Sequence, residues 1–282
     1  MGAQIGFVVL SHSQPEVLKR LLSTLDRTYR NPPIVVHHDF SQCSLPNDAS
    51  DWSTDLQYVR PYIRTEWARI SIPEAFLAAL AMLYSTRAPD WFVLLSASDY
   101  PALAGSSVIR ELTTGNADLY MDYQFVDRAP LVLEPELPPI YLGVGKEKWR
   151  QIVNERYIMT PNPFSEDLRC CAGDFWLTGN ARVASKLNDA PVRYPDLFKY
   201  YFTSFCPDES ICHTILGNDP DLRIVKNNKR YTSWPDMGAH PNTLQLSDFD
   251  AIIRSGCHFT RKCLPPVSDD LLDKLDRIAV WR

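Results

Sequence analysis

Short apolar runs alternate with amphipathic segments through the first half of the chain. Residues 5–10 are apolar throughout, which is typical of a strand covered on both faces. Residues 15–25 then carry apolar side chains at intervals of three and four, the spacing of one helix face, and residues 34–38 form a second apolar run. A strand, a helix and a strand in this order predict a β-α-β unit with parallel pairing and a right-handed crossover.

The same alternation continues along the chain and predicts the fold class. We predict further strands at 56–59, 91–95, 118–122, 168–177, 222–225 and 231–234, and further helices at 73–83, 107–112, 180–187, 246–253 and 269–278. These elements indicate an α/β fold in which helices flank a mostly parallel central sheet. We expect a single domain over residues 1–282, because no linker or internal repeat divides the chain. Residues 123–162 are rich in Pro and charge without a clean period, so we expect an insertion or lid there.

Composition and charge exclude several classes of function. The net charge is −5 and no run of Lys and Arg is present, so a nucleic-acid partner is not expected. No window approaches the roughly 18 consecutive apolar residues of a membrane span. The first residues lack the charged and apolar regions of a secretory signal, and the seven cysteines include no C-x-x-C pair. We therefore expect a cytoplasmic protein with reduced thiols in its core.

Polar side chains follow the predicted strands where a ligand site is expected. Ser11 and His12 come after the first strand, and Asp39 comes after the second. Asp99 follows the strand at 91–95. In open α/β sheets, ligands bind outside the carboxyl ends of the strands, so we expect these side chains near a ligand.

The string CPDESICHTIL, residues 206–216, places two carboxylates at the start of a predicted helix. Pro207 suits a first helical turn, and Asp208 and Glu209 lie where the helix dipole favours negative charge. At 100° per residue, Asp208 falls within the apolar stripe of the following residues and Glu209 falls on its edge. The pattern is compatible with helix capping, and also with a carboxylate that faces a cleft and accepts a proton.

Motifs for bound phosphate or metal are missing or weak. The chain has neither G-x-G-x-x-G nor G-x-x-x-x-G-K-[ST], which disfavours a dinucleotide-binding enzyme or a P-loop NTPase. The strings Asp219-Pro-Asp221 and Asp248-Phe-Asp250 lie in a predicted turn and at a helix start, so we expect turn and cap roles, no metal and no cofactor. An alternating β/α chain with acidic strand ends and a late basic cluster suggests a nucleotide-diphosphate ligand. Without a metal, the charge of such a diphosphate must be neutralised by basic side chains. The last quarter of the chain supplies Lys229, Arg230, Arg254, Arg261 and Lys262.

Eight segments follow one another along the chain in a distinctive order. They are SHSQPEVLKRLLSTL, VVHHDF, TEWARISIPEAFLAAL, WFVLLSASDYP, CAGDFWLTGNARVA, CPDESICHTIL, KRYTSW and HPNTLQLSDFDAIIRSGCHFTRKC. In this order they resemble the core-2/I-branching β-1,6-N-acetylglucosaminyltransferase family, which includes the peptide O-xylosyltransferases. The match runs from residue 5 to about residue 262. The resemblance implies a GT-A-like fold and an inverting, metal-independent transfer from a UDP-sugar to a hydroxyl of a glycan. It leaves the donor sugar open between GlcNAc and xylose.

The resemblance also implies roles for the base and the diphosphate site. The family's catalytic base falls on Glu209, with Asp208 capping or orienting the turn and assigned to the sugar region. A family lysine that holds the diphosphate matches Lys262, and Arg230 is a second candidate. The family often has a basic residue where this chain has Asn242. Arg261 or Arg230 is expected to compensate.

The resemblance assigns the remaining candidates to the nucleotide and the sugars. Asp39 is expected to hydrogen-bond to uracil or ribose, in a pocket that Ser11 and His12 line. Trp67 and Arg69 lie beside the nucleotide, although a packed Trp67 fits the same pattern. The sugar side is assigned to Asp99, Asp174, Trp176 and Trp234. For Asp99 the alternative is a strand-end turn stabiliser, and for Trp176 it is a core position.

Two other functions stay open from the sequence. A nucleotide- or glycan-binding protein without turnover is favoured only by the departure at Asn242. A metal-dependent sugar-nucleotide transferase would need one of the two Asp-x-Asp strings to bind metal. The acceptor is not assigned, although Tyr141, Trp149 and Tyr157 in the insertion offer stacking surfaces.

Overall fold

The computed structural model describes residues 3–126, 149–153, 156–160, 163–202, 204, 206–235 and 240–279. Its first half contains β1 (Ile5–Ser11), α1 (Pro15–Tyr29), β2 (Ile34–His38), β3 (Leu56–Tyr58), α2 (Ser71–Thr86), β4 (Trp91–Ser96), β5 (Tyr100–Pro101), α3 (Gly105–Thr114), β6 (Leu119–Met121) and β7 (Gln124–Phe125). Its second half contains β8 (Trp149–Val153), β9 (Arg156–Thr160), β10 (Cys171–Ala172), β11 (Leu177–Asn180), α4 (Ala181–Arg193), α5 (Pro195–Phe202), α6 (Ile211–Gly217), β12 (Ile224–Val225), β13 (Arg230–Thr232), α7 (Phe249–Ser255), β14 (Phe259–Arg261) and α8 (Asp269–Ala279).

The central sheet has seven strands in the order β12-β6-β11-β4-β1-β2-β3. The pairs β1–β2, β1–β4, β2–β3 and β6–β12 are parallel, whereas β11 is antiparallel to both of its neighbours. The predicted α/β class with a mostly parallel sheet flanked by helices is confirmed.

Helices cover both faces of β1, which explains its continuous apolar run. Phe7 and Val9 pack with leucines of α1 on one face, and Val8 packs with Phe76 and Leu80 of α2 on the other. All five side chains are fully buried. Burial of apolar surface in these two layers stabilises the fold by roughly 25 cal/mol per Å².

A second sheet, of three strands, connects the C-terminal part of the chain to the central sheet. Its strands have the order β13-β14-β5, with β13 parallel and β5 antiparallel to β14. Because β5 follows β4 almost immediately, this pairing places the end of β14 beside the carboxyl end of β4.

Three sequence predictions about elements need correction, and one helix was missed. The predicted strand 168–177 is two strands, β10 and β11, with an irregular segment between them. The predicted helix from Pro207 is a 3-10 turn, Pro207–Glu209, followed by α6, because Ser210 leaves the helical region at φ −143°. The predicted helix 246–253 likewise starts with a 3-10 turn, which Gln245 caps. Helix α5 was not predicted.

The expected insertion, 123–162, falls largely outside the described residues. Residues 127–148 and the side chains of Trp149 and Tyr157 are among those not described, so their predicted role as stacking surfaces stays a prediction. The backbone described within this range forms β7 and an antiparallel hairpin of β8 with β9. Within the described ranges, no helix is both long and apolar enough to span a membrane.

Candidate active site

A cavity of about 670 Å³ lies at the carboxyl ends of β1, β2 and β4. Ten of the fourteen candidate site residues line it: Ser11, His12, Trp67, Asp174, Trp176, Asp208, Glu209, Trp234, Arg261 and Lys262. The other four, Asp39, Arg69, Asp99 and Arg230, do not. The expectation that ligand-binding groups gather at these strand ends therefore agrees with the position of the cavity.

The 3-10 turn Pro207–Glu209 forms an acidic wall of the cavity. The backbone carbonyl of Glu209 accepts a hydrogen bond of 2.9 Å from the N–H of Gly173, and the N–H of Cys206 donates to Ala68 O at 3.1 Å. Burial, reinforced by the charges of Asp208 and Asp174, raises the pKa of Glu209 to about 8. A carboxyl group with this environment has a high affinity for a proton, as a general base requires.

Asp208 and Asp174 share that wall with Glu209. Burial raises the pKa of Asp208 to about 6, and its Oδ1 has no hydrogen-bond partner among the described residues. Burial also raises the pKa of Asp174, while Arg261 and a 3.3 Å hydrogen bond from Asn228 oppose that shift. The cavity therefore holds three carboxyl groups of unusual proton affinity.

Two contacts of the main chain fix the position of the segment that contains Asp174. A Cβ atom on Gly173 would lie 2.0 Å from the carbonyl oxygen of Asp122, so only glycine allows this close approach. The carbonyl oxygen of Asp174 lies 2.9 Å from Nε2 of the buried His213. Since Trp176 lines the cavity and β11 begins at the next residue, β11 runs away from the site, which accounts for its antiparallel direction.

Arg261 and Lys262 supply positive charge to the cavity from the end of β14. The Arg261 guanidinium lies 4.0 Å from the ring centroid of Trp176, a cation–π contact that orients both side chains. Hydrogen bonds of 2.8 Å tie this segment to the rest of the protein, from Leu244 N to Lys262 O and from Cys263 N to Ser98 O. Backbone hydrogen bonds at Lys262 and at the next residue, Cys263, therefore fix the position of the segment that contains both cations.

Arg230 and Asp99 lie behind the cavity as a buried ion pair. Arg230 Nε is 3.2 Å from Asp99 Oδ1, and both side chains are fully buried. Arg230 also donates from Nη2 to Leu94 O at 2.8 Å, and Asp99 accepts from the N–H of Ser96 at 2.7 Å. This arrangement gives both residues a structural role at the end of β4, as in the strand-end alternative for Asp99. The buried position of the pair does not favour direct contact with a ligand. That contact stays a prediction for both residues.

The Asp39 carboxylate is occupied by hydrogen bonds from two loops. It accepts from the backbone N–H groups of Ser41 and Thr65, from both of their hydroxyls and from Gln42 Nε2, at 2.6 to 3.0 Å. Burial alone would raise the pKa of Asp39, but these donors lower it well below its usual range. Asp39 therefore joins residues 41–42 to the loop that carries Trp67, and its predicted contact with the nucleoside is untested.

The remaining nucleotide candidates differ in their exposure. His12 and Trp67 line the cavity from exposed positions, and Trp67 is 62% exposed. The Ser11 hydroxyl lies 3.1 Å from Nδ1 of His38, which fixes its orientation. Arg69 is exposed and lies outside the cavity lining.

Several cavity residues were missed from the sequence. They include polar residues of loops and Thr232 at the end of β13: Gln14, Gln42, Arg64, Thr65, Glu66, Thr232 and His240. Arg64–Glu66 could have been found from their position next to Trp67. His240 is the first residue of the HPNTL string, two positions before Asn242, so its place in that string was the signal that could have identified it.

Both Asp-x-Asp strings have the turn and cap roles that we predicted. Asp219 accepts from the N–H of Asp221 at 3.0 Å and forms an ion pair with Lys186. Asp248 accepts from the N–H of Gln245 at 2.8 Å, as part of a capping box. Among the described residues, no group of three or more His, Cys, Asp or Glu side chains is arranged to hold a metal ion.

A family model described as Core-2/I-Branching enzyme matches residues 5–252 of this chain. The chain belongs to the core-2/I-branching enzyme family. The family that the resemblance named is therefore confirmed, on a chain whose α/β class is described above.

Known relatives of this family member include xylosyltransferases. Xylosyltransferase 1 of Rattus norvegicus is 24% identical over 305 aligned residues, which cover 97% of this chain and 35% of the rat protein. Xylosyltransferase 1 of Homo sapiens is 25% identical, with 97% of this chain and 30% of the human protein covered. The chain thus spans about a third of the length of these relatives.

Solved structures resemble this family member only distantly. A galactosyltransferase, LgtC, in complex with donor and acceptor sugar analogs has a TM-score of 0.41 at 9% identity, with 96% of this chain and 95% of that chain covered. A likeness at this level supports no conclusion about activity.

Proposed function

We propose that this protein is an inverting, metal-independent glycosyltransferase that moves GlcNAc or xylose from a UDP-sugar to a hydroxyl group of a glycan, forming a β-linkage. One observation carries the proposal. The acidic turn with Glu209 and the cationic pair Arg261–Lys262 line the same cavity, at the strand ends of a core-2/I-branching family member. A base for the acceptor and positive charge for a leaving diphosphate are the two functions that a single displacement requires.

The proposed reaction assigns one step to each group. Glu209 accepts the proton of the acceptor hydroxyl as that oxygen forms a bond to the anomeric carbon. The bond from that carbon to the β-phosphate oxygen breaks on the opposite side, and its electron pair stays with UDP. Arg261 and Lys262 stabilise the charge that develops there. A single displacement inverts the anomeric configuration.

Substitution of the cavity carboxyl groups tests the base assignment. We expect Glu209→Gln to lower kcat about 10²- to 10⁴-fold, because the base is lost, while UDP still binds. Asp174→Asn is the matched comparison, since Asp174 lines the same cavity and also has a raised pKa. The measurement is sugar transfer from a panel of UDP-sugars, with UDP binding followed by calorimetry. Full turnover by Glu209→Gln with a loss only in Asp174→Asn would move the role of base to Asp174.

The metal-free part of the proposal has its own test. We expect the transfer rate to be unchanged in excess EDTA, because Arg261 and Lys262 supply the charge that Mn²⁺ or Mg²⁺ supplies in metal-dependent enzymes. Lys262→Ala in the same assay should lose activity that added Mn²⁺ does not restore. A requirement of the wild-type protein for Mn²⁺ would contradict the proposal. We further propose a cytoplasmic location, which fractionation of the source cells would test.

A further inference from the structure

The turn that contains the HPNTL string presents a histidine to the cavity. The N–H of Asn242 donates to Ser233 O at 2.7 Å, and its side-chain amide donates to Ser233 Oγ at 3.2 Å. The carbonyl of Asn242 accepts from the N–H of Lys262 at 3.4 Å. Asn242 is thus used within the turn and is not part of the cavity lining, whereas His240 is.

His240 contacts an aromatic side chain and is close enough to the two cations for their charges to act on it. Its ring centroid is 6.2 Å from that of Trp67, in an edge-on arrangement at 74°. Burial, followed by the positive charges of Lys262 and Arg261, lowers the pKa of His240. Among the described residues, neither ring nitrogen of His240 has a hydrogen-bond partner.

Other charged groups also face this cavity and bear on the charge of His240. Arg64 and Glu66 line it from the loop of Trp67, and the acidic wall of Asp174, Asp208 and Glu209 lines it as well. Burial lowers the pKa of His240 first, and the charges of Lys262 and Arg261 lower it further, so an anion bound beside these cations would offset their part and raise the proton affinity of His240.

We propose that His240 is a third binding group for the diphosphate of the donor, which it holds as an imidazolium ion beside Arg261 and Lys262. The inference rests on the proposed function, because it takes a UDP-sugar as the ligand. His240 thereby supplies the basic group that position 242 lacks.

The chemistry of transfer gives His240 a specific effect on the leaving group. When the bond between the anomeric carbon and the β-phosphate oxygen breaks, the electron pair remains on that oxygen, which gains one negative charge. A proton that His240 has taken from solvent stabilises this charge more than it stabilises the intact donor. His240 therefore binds UDP more strongly than UDP-sugar, which is the differential binding that accelerates a reaction.

Calorimetry with UDP and UMP tests the inference. The parent protein is Glu209→Gln. This variant has no carboxyl group at position 209, so that group can neither take up nor release protons when the nucleotide binds, and no turnover is expected. Titrations at pH 7.5 in two buffers of different ionisation enthalpy report the proton uptake that accompanies binding. We expect added His240→Gln to weaken UDP binding about tenfold and to reduce proton uptake, because a charge-assisted hydrogen bond is lost. UMP, which lacks the β-phosphate, should bind equally to both proteins.

Two further variants serve as controls. His240→Arg carries a permanent charge, so it should keep the UDP affinity of the parent without the proton uptake. His12→Gln removes another cavity histidine, assigned to the nucleotide, and should weaken UMP and UDP to the same extent. Unchanged UDP affinity in His240→Gln, or an equal loss for UMP, would overturn the inference while leaving the UDP-sugar proposal intact. If the parent protein bound no UDP, both would be overturned.

Discussion

Glu209 lies in surroundings that favour its protonated form. Burial is the largest cause, the carboxylates of Asp208 and Asp174 add to it, and Arg261 alone opposes it. A high proton affinity strengthens a base, but it also leaves much of the base protonated near neutral pH. The activity should therefore depend on pH through this residue.

We expect kcat/KM to rise with pH, to reach half of its maximum (the midpoint) near pH 8 and to level off above that pH. Only the carboxylate form of Glu209 can accept the acceptor's proton, so below the midpoint the value should fall about tenfold per pH unit. Asp208→Asn removes a negative charge that raises the pKa of Glu209, so its midpoint should lie at a lower pH. Initial rates from pH 5.5 to 9.5 at low donor concentration measure both profiles. Identical midpoints in the two proteins would exclude Glu209 as the titrating group.

Ten of the fourteen site residues predicted from the sequence line the cavity, but the sequence did not show which of the fourteen hold the scaffold. Strand-end positions and the family motifs identified Glu209, Asp174, Arg261 and Lys262. They could not show that Arg230 is buried against Asp99, because that pairing depends on how β13 packs behind β4. A basic residue in a motif can bind a ligand or hold the scaffold, and only packing distinguishes the two.

Elements with a strong apolar period were the easiest to predict. The predictions for β1, β2 and β4 differ from the structure by at most one residue, since buried parallel strands are apolar throughout. The break at Ser210 was not predictable, because the hydrogen bonds that hold it there come from distant residues. The Ser210 hydroxyl donates to Cys171 O at 2.6 Å and lies 2.5 Å from the buried hydroxyl of Tyr201.

That break also positions Glu209, the proposed base. If a regular helix continued from Pro207, as the sequence predicted, Glu209 would follow the same helical path as α6. The 3-10 turn instead ends at Glu209, whose carbonyl is bonded to Gly173. The acidic turn and the segment of Asp174 are therefore fixed to each other by main-chain contacts, which sequence periodicity does not encode.

Across the whole molecule, distant parts of the chain meet at the cavity. Strand β5, near the middle of the sequence, pairs with β14 near its end, and α8 packs on α1. Asp276 of α8 accepts a 2.7 Å hydrogen bond from Tyr100 of β5 and forms an ion pair with Arg20 of α1 at 3.0 Å. These contacts hold the segment of Arg261 and Lys262 against the strand ends of the main sheet.

The acidic wall should make the whole molecule less stable at high pH than it would be without Glu209. The folded-state pKa of Glu209, about 8, is above its ordinary value of 4.5, so the protonated form favours folding and this stabilisation is lost as pH rises from 4.5 through 8. Glu209→Gln mimics the protonated carboxyl at every pH. We expect its Tm at pH 8.5 to exceed that of the wild-type protein by about 2 to 6 °C, and the difference to vanish near pH 4.5.

Calorimetric scans of both proteins at pH 4.5, 6.5 and 8.5 measure this difference. Glu166→Gln is the matched control, because Glu166 is an exposed loop residue and its substitution should leave Tm unchanged at each pH. A Tm of Glu209→Gln that is lower than wild type at pH 8.5 would mean that the Glu209 carboxylate makes favourable contacts in the folded state. A higher Tm together with lost turnover would show that the protein keeps an unfavourable charge at this position because transfer needs it.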